Sequence, residues 1–366
     1  MKPWTFAPER YDALFDAKCA ATAELLAPIC DLPAQRYRSP AHGFRVRAEF
    51  RLWHEGDALD YVMFDPQAPR DPVVIDTFPQ ALAPITERMP RLLRALKQSD
   101  TLRRRVFQAE FLASREGQVV VTLVYHRPLD DAWEQAAAAL ARDLDVSIIG
   151  RSRKQKLVIG EDRIEESFEV GGQRWRYYAY EQSFVQPNAF INEHMLNWVW
   201  TQAEDAQGDL LELYCGNGNF TLPLASRYRS VVATEVAKIS TRAALQNIEM
   251  NAVENVELVR LSAEEVIQAL NNVRPFRRLQ ALRQPLGDYD FRAVFVDPPR
   301  QGLDAQTCEL LQRFERIYYV SCSPQTLAEN LRALHTTHEV MALAMFDQFP
   351  YTHHVECGVV LARRDA

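Results

Sequence analysis

After about residue 180 the sequence alternates short apolar runs with helix-forming stretches, and this rhythm restricts the fold more than any other feature of the chain. Strands that alternate with helices pack as a parallel sheet covered by helices. Strands are expected at 209–214, 230–235, 256–260, 292–297, 316–321, 339–346 and 355–362. The last two leave no room for a crossover helix, so we expect an antiparallel hairpin at the sheet edge. The predicted fold class is α/β, with a doubly wound, Rossmann-like sheet.

The N-terminal part follows a different pattern. Apolar residues at three-to-four spacing predict a helix over 8–27. The segment FRVRAEFRLW at 44–53 alternates, which is typical of a strand with one solvent-exposed face. Arg45, Arg47, Glu49 and Arg51 fall on that face, so the pattern predicts that most of this sheet face is basic. Further strands are expected at 60–65, 73–76, 104–112 and 118–126, and helices near 79–97 and 130–143.

These patterns predict an N-terminal helical segment at 1–35, an α+β domain at 36–180 and the α/β domain at 181–366. A chain of 366 residues is long enough for two such domains. We expect a monomer.

The composition points to a reduced compartment. No apolar run approaches the ~20 residues of a membrane span, and the N-terminus lacks a secretory pattern. The six cysteines are irregularly spaced, which disfavours a disulfide framework and a zinc or iron–sulfur site. We therefore expect a cytoplasmic protein with no membrane contact and no metal.

The net charge of −7 is unevenly distributed along the chain. Residues 36–180 carry 23 Lys and Arg against 21 Asp and Glu, whereas the remainder is strongly acidic. Basic clusters within this stretch, at 103–105 and 151–156, are of the kind that contacts phosphates. Nucleic acid therefore stays a candidate partner for this part of the chain.

A glycine loop follows the first predicted strand of the α/β domain. In GDLLELYCGNGNF, Gly216 and Gly218 let the backbone pass close to a bound nucleoside. Glu235 ends the next strand, where a carboxylate suits two ribose hydroxyls. Thr221 replaces the third glycine of dinucleotide sites, which disfavours a pyrophosphate ligand. The alternative interpretation is a tight turn and a surface acid.

Three further residues lie at predicted strand ends. Cys322 follows a strand and precedes a helix start at Ser323, and helix N-termini lower a thiol pKa. Asp297 follows the neighbouring strand, and Glu356 begins the last one. A thiol that adds at C6 of a pyrimidine, with a base that later removes the C5 proton, requires such a set. Core packing and a solvated strand face are the alternatives for Cys322 and Glu356.

Long blocks of the sequence resemble the RNA 5-methyluridine methyltransferases, and within them the branch that acts on tRNA. The blocks are RSPAHGFRVRAEFRLWH, SFVQPNAFIN, GDLLELYCGNGNF, VFVDPPRQGLD and FDQFPYTHHVECGVVL. The resemblance implies a class I methyltransferase domain with an N-terminal RNA-binding domain, and S-adenosylmethionine as methyl donor. It implies the T-loop uridine at position 54 of tRNA as substrate, and the equivalent uridine of tmRNA.

The resemblance also implies roles for single residues. Cys322 corresponds to the nucleophile of the family and Glu356 to its base. Cofactor-binding positions correspond to Gln186, Tyr214, Asn219, Glu235 and Asp297. Ser323 replaces the asparagine that the family usually has after the cysteine, and both residues can cap a helix. The four-cysteine iron–sulfur cluster of many relatives that act on ribosomal RNA is missing.

The substrate loop is folded inside intact tRNA, so an enzyme must extrude the base and replace its stacking. Phe107 is a candidate stacking residue, and a core aromatic is the alternative.

Three other functions remain open at this point. One is a cytosine-5 RNA methyltransferase, which usually has a second cysteine near its counterpart of DPPR. The others are a non-catalytic RNA-binding or folding protein and an amino-methyltransferase, and Arg300 disfavours the last of these.

Overall fold

The computed structural model describes residues 2, 4–56, 58–65 and 67–364. The chain divides into two compact units. The first unit consists of Met1–Tyr11, Pro40–Glu166 and Ala179–Ala189, and the second of Asp12–Ser39, Ser167–Tyr178 and Phe190–Ala366.

The α-helices of the described residues are α1 (Tyr11–Leu26), α2 (Ala83–Gln98), α3 (Asp100–Arg103), α4 (Asp131–Leu144), α5 (Ala189–Gln202), α6 (Thr221–Ala225), α7 (Lys238–Met250), α8 (Ala263–Leu270), α9 (Ala305–Leu311) and α10 (Pro324–Leu334). Short 3₁₀ helices lie at Pro8–Arg10, Arg277–Ala281 and Leu286–Asp288.

The strands are β1 (Gln35–Tyr37), β2 (Arg47–Glu55), β3 (Ala58–Asp65), β4 (Ala68–Val74), β5 (Val106–Ala113), β6 (Val119–Tyr125), β7 (Ser147–Ser152), β8 (Gln155–Ile159), β9 (Arg163–Val170), β10 (Gln173–Tyr180), β11 (Asp209–Leu213), β12 (Ser230–Thr234), β13 (Val256–Val259), β14 (Phe291–Val296), β15 (Arg316–Ser321), β16 (His338–Phe346) and β17 (Glu356–Arg363). Strands β9 and β10 form a separate two-stranded sheet.

The first unit is built on a seven-stranded sheet in the order β4-β3-β2-β5-β6-β7-β8. Its strands pair antiparallel except β6 and β7, which run parallel and are joined by α4. Asp130 caps α4 by accepting a hydrogen bond from Trp133 N at 2.9 Å. A Cβ atom at position 150 would lie 2.2 Å from the Trp133 ring, so Gly150 allows α4 to approach β7 closely.

The expectation of a basic, solvent-exposed strand face over 44–53 is wrong in part. Arg45 and Arg47 are half-buried, and burial lowers the pKa of each. Arg47 donates hydrogen bonds to the carbonyl oxygens of Glu181 at 2.6 Å and of Ser183 at 3.0 Å. Its guanidinium therefore fixes backbone within the first unit, and Arg51 is the arginine of this strand that stays exposed.

The second unit contains an eight-stranded sheet in the order β1-β16-β17-β15-β14-β11-β12-β13. Strands β11 to β15 pair in parallel, which confirms the predicted α/β sheet. The predicted hairpin of β16 and β17 is antiparallel, but its place at the sheet edge is wrong. β1 covers the free side of β16 in parallel, because the N-terminal segment returns to this sheet.

Helices cover both faces of this sheet, as a doubly wound fold requires. One face packs into a large apolar cluster with α1, α8, α9 and α10. On the other face, the ring of Trp198 in α5 contacts Phe346 edge-on at 5.9 Å. A Cβ atom at position 358 would lie 2.6 Å from Trp198, so Gly358 lets α5 pack directly on β17.

None of the helices in the described ranges combines the length and the apolar content that a bilayer crossing requires.

Candidate active site

The parallel strands of the second unit end at a common sheet edge, and several of the predicted site residues come directly after these strands in the sequence. Tyr214 comes after β11, Glu235 after β12 and Asp297 after β14. Cys322 is the first residue after β15. Ligands of open α/β sheets bind outside these carboxyl ends, so the fold gathers the residues where a ligand is expected.

The antiparallel pairing of β15 with β17 brings the thiol and the acid together. Ser321, the last residue of β15, pairs with Cys357, so the adjoining residues Cys322 and Glu356 lie side by side, and the Glu356 charge acts on the Cys322 thiol. Residues opposite each other in such a ladder have Cα atoms about 5 Å apart. Cys322 is half-buried, whereas Glu356 is only 3% exposed. A ring that reached the thiol would therefore lie beside this carboxyl group.

Ser323 caps the helix that follows the cysteine. Its side chain accepts a hydrogen bond from Thr326 N at 3.4 Å, at the start of α10. The serine thus performs the capping role expected at this position.

The expected lowering of the Cys322 pKa is wrong. Burial raises the pKa of this thiol to about 11, and the carboxylates of Glu356 and Asp297 contribute in the same direction. Arg300 opposes them with a smaller effect. Removal from water and two neighbouring acids outweigh the favourable N-terminus of α10.

The two acids of this edge hold protons more tightly than usual. Burial raises the pKa of Asp297 to about 7. Burial, followed by the nearby charge of Asp297, raises the pKa of Glu356 well above its ordinary range. Two close carboxyl groups in a water-poor site do not readily ionise together. Once ionised, Glu356 is therefore a stronger base than an exposed carboxylate.

The glycine loop is held in an unusual backbone conformation. Tyr214 has a φ of 60°, which a tyrosine rarely adopts, and Gly216 and Gly218 follow with φ of 58° and 83°. Gly216 N donates to Glu235 Oε2 at 3.0 Å. Glu235 Oε1 accepts from the backbone of the two residues that follow it, at 2.7 Å each. The acid is thus fixed against the loop before any ligand binds.

Asn219 ends the glycine loop and is fixed by its neighbours. Its side-chain amide exchanges two hydrogen bonds with Asn192 of α5, at 2.8 and 2.9 Å. Its carbonyl oxygen accepts from Tyr177 Oη at 3.0 Å. Asn192 and Tyr177 were not identified from the sequence: Tyr177 lies outside the quoted blocks, whereas Asn192 ends the block SFVQPNAFIN, which was the available signal.

The second unit thus contains six of the seven residues proposed from the sequence. Gln186 belongs to the first unit, in the segment Ala179–Ala189. Its cofactor-binding role stays a prediction. The five other cysteines are buried.

Glu212 is a titratable residue of this region that the sequence analysis missed. It lies in the middle of β11 and is fully buried, and neither carboxyl oxygen has a hydrogen-bond partner among the described residues. Burial raises its pKa to about 8, the neighbouring Thr221 side chain opposes this effect, and the charge of Asp297 adds to it. An acid between Leu211 and Leu213, in a strand expected to be buried, was the signal in the sequence for this residue.

Among the described residues, no cluster of three or more His, Cys, Asp or Glu side chains has the arrangement of a metal site.

Comparison with known proteins gives consistent results. The family model described as tRNA (Uracil-5-)-methyltransferase matches residues 10–364. Proteins named tRNA/tmRNA (uracil-C(5))-methyltransferase from Azotobacter vinelandii and Ectopseudomonas mendocina are each 54% identical over 359 residues, which are 98% of this chain and 99% of each relative.

A solved structure shares the fold. The Pyrococcus abyssi tRNA (uracil-54, C5)-methyltransferase in complex with S-adenosyl-L-homocysteine superposes with a TM-score of 0.72 at 22% identity. The match covers 96% of this chain and 83% of that one.

Cys322 should alkylate selectively in the native protein, with an unusual pH dependence. Its thiol is half-buried while the other five are buried, and its pKa lies near 11. The labelling rate with iodoacetamide should therefore rise about tenfold per pH unit from pH 7 to 10, since the thiolate reacts. Mass mapping identifies the labelled peptide. A plateau near pH 8 would contradict the raised pKa.

Glu212→Gln should remove a pH-dependent destabilisation. Folded Glu212 keeps its proton up to about pH 8, whereas the unfolded side chain loses it near its ordinary pKa of 4.5. The folded state thus binds more protons in this window, and wild-type stability falls as the pH rises through it. The variant should be more stable by about 2 kcal/mol or more at pH 8, and about equal at pH 4.5. Urea unfolding at both pH values measures the difference, and a pH-independent difference would contradict it.

Proposed function

The chain belongs to the tRNA (uracil-5-)-methyltransferase family, and we propose that it methylates C5 of the T-loop uridine at position 54 of tRNA and the equivalent uridine of tmRNA. The observation that carries this proposal is the pairing of Ser321 with Cys357, which brings the adjoining residues Cys322 and Glu356 together at the sheet edge that also presents the glycine loop. A thiol and a base on the same side of a nucleoside site suit covalent attack on a pyrimidine.

The residues at this edge fit S-adenosylmethionine, the methyl donor of the family. The backbone at Gly216 and Gly218 has no side chain that would exclude a nucleoside, and Glu235 is preoriented for ribose hydroxyls. Tyr214, Asn219 and Asp297 complete the candidate cofactor set in this unit, and Gln186 joins them by family correspondence. The bound cofactor supplies an electrophilic methyl group.

Cys322 is proposed to carry out the first step of the reaction, the attack on the uracil ring. Its thiolate forms a bond to C6 of the uracil, and the electrons of the C5–C6 double bond move toward C5 and the neighbouring carbonyl. The resulting enolate makes C5 nucleophilic, and C5 then accepts the methyl group. The high pKa of Cys322 makes a strongly nucleophilic thiolate, although little of it is present at neutral pH.

Glu356 is proposed to carry out the last step of the reaction, the removal of the C5 proton. Methylated C5 carries one hydrogen too many, and the Glu356 carboxylate removes it as a proton. The C5–C6 double bond re-forms as the Cys322 thiolate leaves, and Glu356 then releases its proton to water, which restores the starting enzyme. Burial suits this task, because it gives the carboxylate a higher affinity for the proton.

The first unit, which includes most of 36–180, is proposed as the RNA-recognition part. Part of its positive charge is already paired: Arg151 donates to Glu181 at 2.5 and 2.7 Å, and Lys156 pairs with Asp162 at 2.7 Å. Arg103, Arg104 and Arg105 form a remaining basic cluster on its surface, and Arg104 and Arg105 are exposed.

Phe107 is proposed to contact the displaced bases. Its half-buried ring stacks on His126 at 3.8 Å between centroids, and the Arg51 guanidinium lies 5.1 Å from its centroid. An aromatic ring beside an exposed guanidinium is a sequence-tolerant platform for nucleobases and phosphates.

A cytosine-5 RNA methyltransferase is less consistent with the site. The Asp297 motif, DPPR, offers no second thiol, and the five remaining cysteines are buried.

Cys322→Ala and Glu356→Gln should separate the two halves of the reaction. Unmodified tRNA transcript incubated with cofactor should form a denaturation-resistant adduct with Glu356→Gln, because release is blocked. Cys322→Ala should form none, and both variants should lose at least about 100-fold in turnover. Gel shift and mapping of the labelled nucleotide provide the readout. Normal turnover by either variant would contradict the proposed roles.

Phe107→Ala should weaken tRNA binding and turnover about tenfold, since a stacked base contributes roughly 1–3 kcal/mol. Phe107→Tyr keeps the ring and serves as the matched control. Filter binding with unmodified tRNA, alongside thermal unfolding, measures the effect. Unchanged affinity in a stably folded Phe107→Ala protein would exclude the stacking role.

A further inference from the structure

The N-terminal helix α1 places one lysine in the interior of the second unit. Lys18 Nζ donates to Asp347 Oδ1 at 2.5 Å, to the carbonyl oxygen of Phe349 at 3.1 Å and to that of His354 at 2.8 Å. These acceptors match the three protons of an ammonium group. The Lys18 and Asp347 side chains are 6% and 1% exposed, so the ion pair is buried.

All three acceptors lie in the segment 347–355, which joins β16 to β17 and is called the β16–β17 loop here. Asp347 begins the loop and His354 lies two residues before Glu356. Lys18 therefore holds both ends of the loop with one group. Asp347 N also donates to Tyr37 O at 3.0 Å, which fixes the first residue against β1.

Stability alone does not explain a charged pair at this place. Burial lowers the pKa of Lys18, and its partner Asp347 opposes this effect. Replacing a buried ion pair by apolar residues of similar size is often neutral or stabilising. An ammonium group donates three directional hydrogen bonds, which an apolar side chain cannot do. All three acceptors here lie in the segment that precedes Glu356.

We propose that Lys18 is a positioning residue for Glu356: its ammonium fixes the β16–β17 loop so that the Glu356 carboxyl group stays beside Cys322. The inference rests on the proposed function, in which Glu356 removes the C5 proton. Loss of the three bonds displaces the base but leaves the thiol and the glycine loop in place, because Cys322 and Gly216 follow other strands. Proton removal then becomes slow while attack by the thiol persists.

The double variant Lys18→Met/Asp347→Asn tests this most cleanly. It removes both charges together, so no uncompensated charge stays buried, and it keeps the approximate volumes. We expect kcat to fall about tenfold or more, as for a misplaced catalytic group. We also expect the covalent tRNA adduct at Cys322 to rise severalfold above the wild-type level, with KM for S-adenosylmethionine unchanged.

Asp347→Asn provides a second variant. It keeps an acceptor oxygen for Lys18 but weakens a charge-assisted bond, so adduct accumulation should occur in the same direction and to a smaller extent. Because it leaves the Lys18 ammonium without its counter-charge, thermal unfolding must show that the variant is folded at the assay temperature before its adduct level is compared.

The control is another ion pair of the same unit, far from the loop. Asp209 begins β11, is 1% exposed and pairs with Arg229 at 2.6 Å. Arg229→Met/Asp209→Asn should lower the unfolding temperature without raising the adduct level or changing kcat. The comparison separates a positioning effect from a general loss of stability.

The outcomes distinguish this inference from the proposed function. If neither wild-type protein nor Glu356→Gln forms an adduct at Cys322, the proposed mechanism fails. If Glu356→Gln traps the adduct but both Lys18 and Asp347 variants release it at the wild-type rate, the positioning role of Lys18 is overturned. Adduct accumulation in these variants, and not in the Arg229 control, supports it.

Discussion

The antiparallel pairing of β15 with β17 is the contact on which the proposed chemistry depends. In a wholly parallel sheet, Glu356 at the start of its strand would lie at the edge opposite to Cys322. Because β17 runs in reverse between β16 and β15, its first residue meets the last residues of β15. A single reversed strand thus adds an acid to the edge where the parallel strands already present the thiol and the glycine loop.

Burial at this edge determines the protonation of the site. Glu356, Asp297 and Glu212 all have raised pKa values, and burial is the main cause for each. The thiol of Cys322 is affected in the same way. Each of these groups therefore gives up its proton less readily than it would in water. A base for C5 benefits from this environment, whereas formation of the thiolate is made more difficult by it.

Much of the α/β part was predictable, because the local sequence determines strands, glycine turns and helix caps. The strand-end positions of Glu235, Asp297 and Cys322 followed from that pattern. The edge position of β1 and the contact between Lys18 and Asp347 were not predictable, since the latter joins residues 329 positions apart. The role of Arg47 was misjudged for a related reason. Alternation identifies the face of a strand but not the segment that covers it.

The central claim is that the methyl group replaces the hydrogen on C5 of one uridine. Transfer of the methyl group to tRNA labelled with tritium at uridine C5 measures this directly, since the proton taken by Glu356 exchanges with water. The account predicts one tritium released for each methyl group incorporated, with the methyl group located in the T-loop. Methyl incorporation without tritium release would contradict it, because the methyl group would then be on a ring nitrogen or on the ribose.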